Sequence, residues 1–158
     1  MELTNSTLIA APRDRVWAGL NNPGILQHCL SGCESLELTE ANQFTARLMI
    51  KIGPVKARFS GIITLSDLNP PHSYCISGEG QGGVAGYAKG QARVELAAVN
   101  DNQTNLSYWV TAEIGGKLAQ LGDRLIQGTA TKLSVDFFAQ FTNLMNSPID
   151  LTQRYDKA

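Results

Sequence analysis

The stretch from Gly115 to Met145, GGKLAQLGDRLIQGTATKLSVDFFAQFTNLM, constrains this chain more than any other. Apolar residues recur at Leu118, Leu121, Leu125, Ile126, Leu133, Phe137, Phe141 and Leu144, in steps mostly of three, four or seven, and no proline interrupts them. That spacing lines one face of an α-helix rather than alternating across a strand. A helix over the whole stretch would be roughly 45 Å long at 1.5 Å per residue. Helices of this kind are held by what their apolar face covers more than by propensity. The rest of the chain must therefore supply a wide apolar surface.

The preceding residues read as that surface. Glu2 to Ile9 alternates and predicts a strand. Pro12, Asp14, Val16, Trp17 and Leu20 then predict one short helix, and Asn22-Pro23 followed by Ile25, Leu26 and Leu30 predicts another, capped by Asn22. From Cys33 to Ile114 the period changes to two, with strands expected at 34–38, 44–52, 55–68, 73–80, 86–99 and 105–114, separated by turn residues such as Gly53-Pro54, Asn69-Pro70-Pro71 and Asn100-Asp101-Asn102. One register collects Ala46, Leu48, Ile50, Phe59, Ile63, Tyr74, Val94, Leu106, Tyr108 and Val110; the other collects Arg47, Arg58, Glu79, Lys89, Arg93, Glu95 and Glu113. A seven-stranded antiparallel sheet with one apolar face must curl around the final helix, an α+β helix-grip fold with two short helices after the first strand. No repeat or linker divides it. The expected domain is 1–146, with 147–158 as a short C-terminal tail.

The apolar register also holds Gly61, Gly78, Gly80, Gly86, Ala88, Gly90, Ala92 and Ala112, and the helix carries Gly122 and Gly128. Glycine weakens a strand unless a bend or a close approach requires it. The two explanations are close packing of helix on sheet and a cavity between them. If a cavity forms, the expected walls are Leu26, Phe59, Tyr74, Tyr108, Leu118, Leu121 and Leu125, with Gly122 and Gly128 leaving room, and Tyr74 and Tyr108 are its obvious polar handles.

Composition excludes several functions. The 13 basic and 14 acidic residues of the 158 give a net charge of −1, with no basic face for nucleic acid. No apolar run approaches the ~20 residues that span a bilayer, and the N-terminus lacks the order of a signal peptide. Three cysteines, Cys29, Cys33 and Cys75, are an odd number and fit a reducing cytoplasm. His28, Cys29 and Cys33 provide three ligands without the second pair of a structural zinc site, so no metal is expected. No nucleophile motif accompanies His28 or His72, Glu79, Glu95 and Glu113 fall in the wet register, and the run Gly78 to Gly83 lacks the Lys-Ser/Thr of a phosphate loop. No catalytic residue is assigned.

Local motifs then converge on one family. Ala11-Pro12 with Val16-Trp17, Asn22-Pro23 with Leu26, CLSGCE from Cys29, KIGPV from Lys51, Phe59-Ser60-Gly61, Gly86-Tyr87-Ala88-Lys89-Gly90 and above all GGKLAQLGDRLI from Gly115 resemble the CoxG family of carbon monoxide dehydrogenase, within the START/polyketide-cyclase-like (SRPBCC) superfamily. The resemblance implies a non-enzymatic accessory protein of a molybdenum-containing oxidoreductase. It implies a quinone-like or lipid ligand in the helix-grip cavity and recruitment of the enzyme to the cytoplasmic membrane. The alternatives are a lipid-transfer or chaperone protein unrelated to an oxidoreductase, and a polyketide-cyclase-like enzyme. Two departures stand out: Ser31 replaces a proline common in the family, and the tail after Ser147 is too short and polar to act as the membrane-attaching segment of many relatives. Membrane contact is then expected through the folded surface or a partner. On the wet face Met49, Tyr87 and Trp109 are large for their register; Tyr87 and Trp109 are expected to mark a partner surface unless strand bulges bury them.

Overall fold

The computed structural model describes residues 1–146; the expected tail, 147–158, lies outside the described residues. β1 (Glu2–Ile9) leads into α1 (Arg13–Leu20) and α2 (Pro23–Cys29), after which β2 (Cys33–Glu40), β3 (Gln43–Ile52), β4 (Val55–Asn69), β5 (Ser73–Gln81), β6 (Tyr87–Asn100) and β7 (Gln103–Gly115) follow in turn. They form one seven-stranded antiparallel sheet in the order β1-β7-β6-β5-β4-β3-β2. β2 to β7 are a meander, and β1 adds beside β7, so α1 and α2 span the sheet from one edge to the other. Asn22 caps α2 as its side chain accepts from the Ile25 N–H at 3.2 Å, with Pro23 in the first turn.

The expected long helix is two elements. β7 runs through Gly115, Gly116–Leu121 forms a 3₁₀ helix, and α3 begins only at Asp123 and continues to Met145. Gly116 (φ 75°) and Gly122 (φ 95°) occupy conformations that continue no α-helix. The apolar spacing survives the break because a 3₁₀ turn also returns a side chain about every three residues. At 23 residues, α3 is about 35 Å long. Strand β6 starts at Tyr87 rather than Gly86, since Gly86 closes the short 3₁₀ turn Gly83–Ala85 at φ 122°.

The apolar register faces inward as expected: Ala46, Phe59, Tyr74, Val94, Leu96, Leu106 and Tyr108 are buried. The main core joins this face to α1, α2 and the C-terminal half of α3 through Ile9, Val16, Ile25, Leu36 and Phe141. Phe137 stacks on Phe141 with centroids 5.8 Å apart, and Phe138 stacks on Tyr108 at 5.1 Å. The buried Thr104 hydroxyl donates to the Ala11 carbonyl at 2.8 Å, tying β7 to the start of α1. A second, smaller cluster of Ile52, Ala57, Phe59, Ala85 and Leu118 closes the opposite end, beneath the 3₁₀ helix.

Candidate functional site: an apolar cavity under the long helix

Between the two clusters, α3 bridges the sheet rather than lying on it. At one edge Gln127 Nε2 donates to the Glu2 carbonyl of β1 at 2.9 Å, and at the other the Leu125 side chain rests over Gly53 in the β3–β4 turn. Two adjoining cavities lie below. The first, about 290 Å³, is walled by Ile50, Phe59, Gly78, Gly80, Ala112, Leu118, Ile126 and Ala130. The second, about 340 Å³, is walled by Leu26, Phe44, Tyr74, Val94, Tyr108, Phe137 and Phe138. Ile63 and Leu133 line both and form the partition. Together they fall within the size of small-molecule pockets, roughly 300–1,000 Å³.

The small residues of the sheet divide into two kinds. A Cβ on Gly61 would stand 2.5 Å from the Glu79 carbonyl oxygen, and one on Gly90 would stand 2.9 Å from that of Thr111. Those positions are glycine because neighbouring backbone is too close. At Gly78 and Gly80 the nearest atoms would be 3.9 Å away, an ordinary contact. Those side chains could fit, and the space they leave is cavity.

Polar groups on these walls are few. Tyr74 is buried with Trp17 edge-on at 5.3 Å, and burial pushes its phenol above the usual range, holding it as a neutral hydroxyl. The Ser134 hydroxyl donates to the Ala130 carbonyl at 3.0 Å within α3. Nothing in this setting polarises a substrate strongly; it suits an apolar molecule with a modest polar group.

Of the residues singled out in the sequence, Phe59 and Leu118 stand on the first cavity, and Leu26, Tyr74 and Tyr108 stand on the second. Leu121 packs beside the Phe59–Leu118 cluster. Leu125, Gly122 and Gly128 require correction. Leu125 is 37% exposed, Gly122 is the N-cap of α3, and a Cβ on either glycine would meet open space. The break at Gly122 resets the helical phase, so Ile126 points inward where a continuous helix would also have presented Leu125. Ile63 and Leu133 were missed as walls although both belong to the apolar stripes read from the sequence. What was invisible was the gap on either side of them.

On the outer face Trp109 is 42% exposed, in register with Thr4 and Arg93. Tyr87 is exposed too, but its ring covers the bare backbone of its cross-strand partner Gly115, which accounts for a large residue there. Met49 is half-buried. Charged neighbours pair on the surface: Arg58 binds both Glu34 oxygens, at 2.7 and 3.0 Å, and holds that carboxyl below its usual range. Cys29 and Cys33 are buried free thiols. Burial pushes Cys29 up to about 12, and the Cys33 thiol donates to the Ser35 carbonyl at 3.4 Å. Among the described residues no three His, Cys, Asp or Glu side chains converge on a point that could hold a metal ion.

A curved sheet gripping a C-terminal helix over an apolar cavity defines an α+β ligand-binding protein of the START-like, SRPBCC class. Residues 6–146 match the family model for CoxG, a component of carbon monoxide dehydrogenase, and the chain belongs to that family. It is similar to a conserved protein from Geobacillus kaustophilus, with 34% identity, a TM-score of 0.87, and coverage of 92% of this chain and 95% of that one. The fold also matches the Zhui aromatase/cyclase from Streptomyces sp. R1128 (12% identity, TM-score 0.67, 92% and 93% covered). A START superfamily protein from Mycobacterium smegmatis is comparable (11% identity, TM-score 0.69, 92% and 97% covered). No curated protein sequence matches. Among the described residues no helix is long and apolar enough to cross a membrane.

Proposed function

We propose that this protein is a non-catalytic accessory protein of a molybdenum hydroxylase of the CO dehydrogenase type. In this reading it carries a quinone-like or lipid molecule between sheet and α3 and helps couple the enzyme to the cytoplasmic face of the membrane. The observation that carries the reading is the paired cavity, apolar on nearly every wall and left open at Gly78 and Gly80, where side chains would fit. Family membership supplies the oxidoreductase as partner. The fit to a quinone-like ligand rests on chemistry: aliphatic walls suit an isoprenoid tail, and the neutral Tyr74 hydroxyl can donate one hydrogen bond to a carbonyl. Carriage is favoured over cyclase-like catalysis because the inward side chains hold tyrosines and hydroxyls but no carboxylate or imidazole aimed inside to move a proton.

Native mass spectrometry of the protein purified from its own cells without detergent, followed by extraction of the carried molecule, tests this. A stoichiometric isoprenoid quinone or lipid is expected. Protein that arrives empty and takes up no added quinone would leave the cavity as a packing defect and overturn the ligand.

A further inference from the structure

On the outer sheet face Arg58, Lys89 and Arg93 are paired with Glu34, Glu79 and Glu95. Four exposed cations, Lys51, Lys56, Lys117 and Arg124, form no ion pair with the described residues. All four gather at one end of the molecule, where the β3–β4 turn, the β5–β6 connection, the 3₁₀ helix and the start of α3 meet. Lys51 and Lys56 stand directly opposite each other across the β3–β4 hairpin, a placement in which like charges repel. Lys51 and Arg124 share a groove with Lys132 and the side chains of Leu121 and Leu125. Lys117 immediately precedes Leu118, the plug of the smaller core cluster. Asp123, the neighbouring carboxylate, sits in the first turn of α3, where it answers the helix dipole. A chain of net charge −1 has thus concentrated uncompensated positive charge at one pole.

The same pole exposes apolar side chains. Val84, beside the buried Ala85 in the β5–β6 connection, is 86% exposed, the most of any large hydrophobic residue among the described ones, and Leu125 lies in the groove. Beneath them the Phe59–Leu118 cluster is the layer that separates this surface from the first cavity.

We infer that this pole docks on an anionic bilayer, with Val84 and Leu125 entering the headgroup layer and Lys51, Lys56, Lys117 and Arg124 facing lipid phosphates. Charge complementarity carries the choice of occupant, and the arrangement of the apolar groups favours a bilayer over an acidic protein. Val84 and Leu125 come from two separate connections and offer convex points rather than a groove for a partner's side chain. The inference takes its purpose from the cavity reading above, since an apolar cargo would have one thin layer of side chains to pass. Its geometry stands independently.

Flotation with vesicles of phosphatidylcholine, with and without phosphatidylglycerol and free of quinone, tests it. Binding is expected only to the anionic vesicles and should fall as salt is raised. At roughly 5-fold per cation, the triple variant Lys51→Gln, Lys56→Gln, Arg124→Gln should lose about 100-fold in partitioning. Val84→Ser should weaken binding while keeping its salt dependence, and Lys89→Glu on the outer sheet face should leave it unchanged. Wild-type protein that ignores anionic vesicles, a triple variant that binds as wild type does, or vesicle binding competed away by millimolar inorganic phosphate would each overturn the inference, the last by revealing a phosphate site instead of a bilayer face. Because the vesicles carry no quinone, docking by a protein whose cavity proves empty would uphold this surface while sinking the ligand.

Discussion

At the scale of single residues, two glycines on one sheet face make opposite predictions. Gly78→Val adds a side chain where only ordinary contacts await it and where valine suits a strand. It should fold within about 1 kcal/mol of wild type in a urea titration and lose at least about tenfold in uptake of an apolar ligand, by occupying the space the ligand needs. Gly61→Val drives a Cβ into the Glu79 carbonyl and should destabilise the fold by about 1–3 kcal/mol whatever the ligand. The sequence made the number of small residues plain but could not separate these two kinds. The distance from a Cβ to the next strand's backbone depends on local sheet curvature, which no spacing encodes. Cys29 provides a pH prediction. Its thiol is raised from an ordinary 9.0 to about 12, so above pH 9 the unfolded chain releases a proton that the folded chain keeps. Stability is complete below that point and should fall by up to about 1.4 kcal/mol per pH unit as pH rises toward 12. Tyr74, raised for the same reason, adds a loss of the same sign at higher pH. Urea midpoints measured across this range should decline less steeply in Cys29→Ala.

At the scale of elements, the joint between β7 and α3 departs furthest from the sequence reading. The helical period ran unbroken from Leu118 to Leu144, and only Gly115, Gly116 and Gly122 hinted at interruption. A single glycine inside a helical pattern is tolerated often enough that the hint does not decide. In the fold Gly122 sits at φ 95° and ψ 150°, a region that a side chain enters only under strain. Gly122→Ala should therefore cost about 1–3 kcal/mol, read as a lowered denaturation midpoint, even though the new methyl group would meet open space. Gly128→Ala, inside α3 and equally unobstructed, should instead stabilise by up to about 1 kcal/mol. The strands were far more legible. Alternation, Gly53-Pro54 and Asn100-Asp101-Asn102 located all of them within a few residues, because one buried face fixes register so strongly.

At the scale of the whole molecule, an apolar cavity left unfilled forgoes contacts that a ligand restores. An isoprenoid quinone added in excess to lipid-free protein should raise the unfolding temperature. At a hundred times its dissociation constant the gain is about 2.7 kcal/mol, or roughly 5–11 °C for a domain of this length. A scanning fluorimetry trace unmoved by quinone but shifted by another lipid would reassign the cargo. The Ile63–Leu133 partition has a further consequence. Neither side chain is needed to close the sheet or seat α3 at its edges, so the boundary between the two chambers belongs to the contents more than to the frame. Trimming Leu133 would join the chambers into one longer compartment, and enlarging it would divide them. Related chains could therefore exchange one cargo length for another by a single codon, with the architecture that surrounds it untouched.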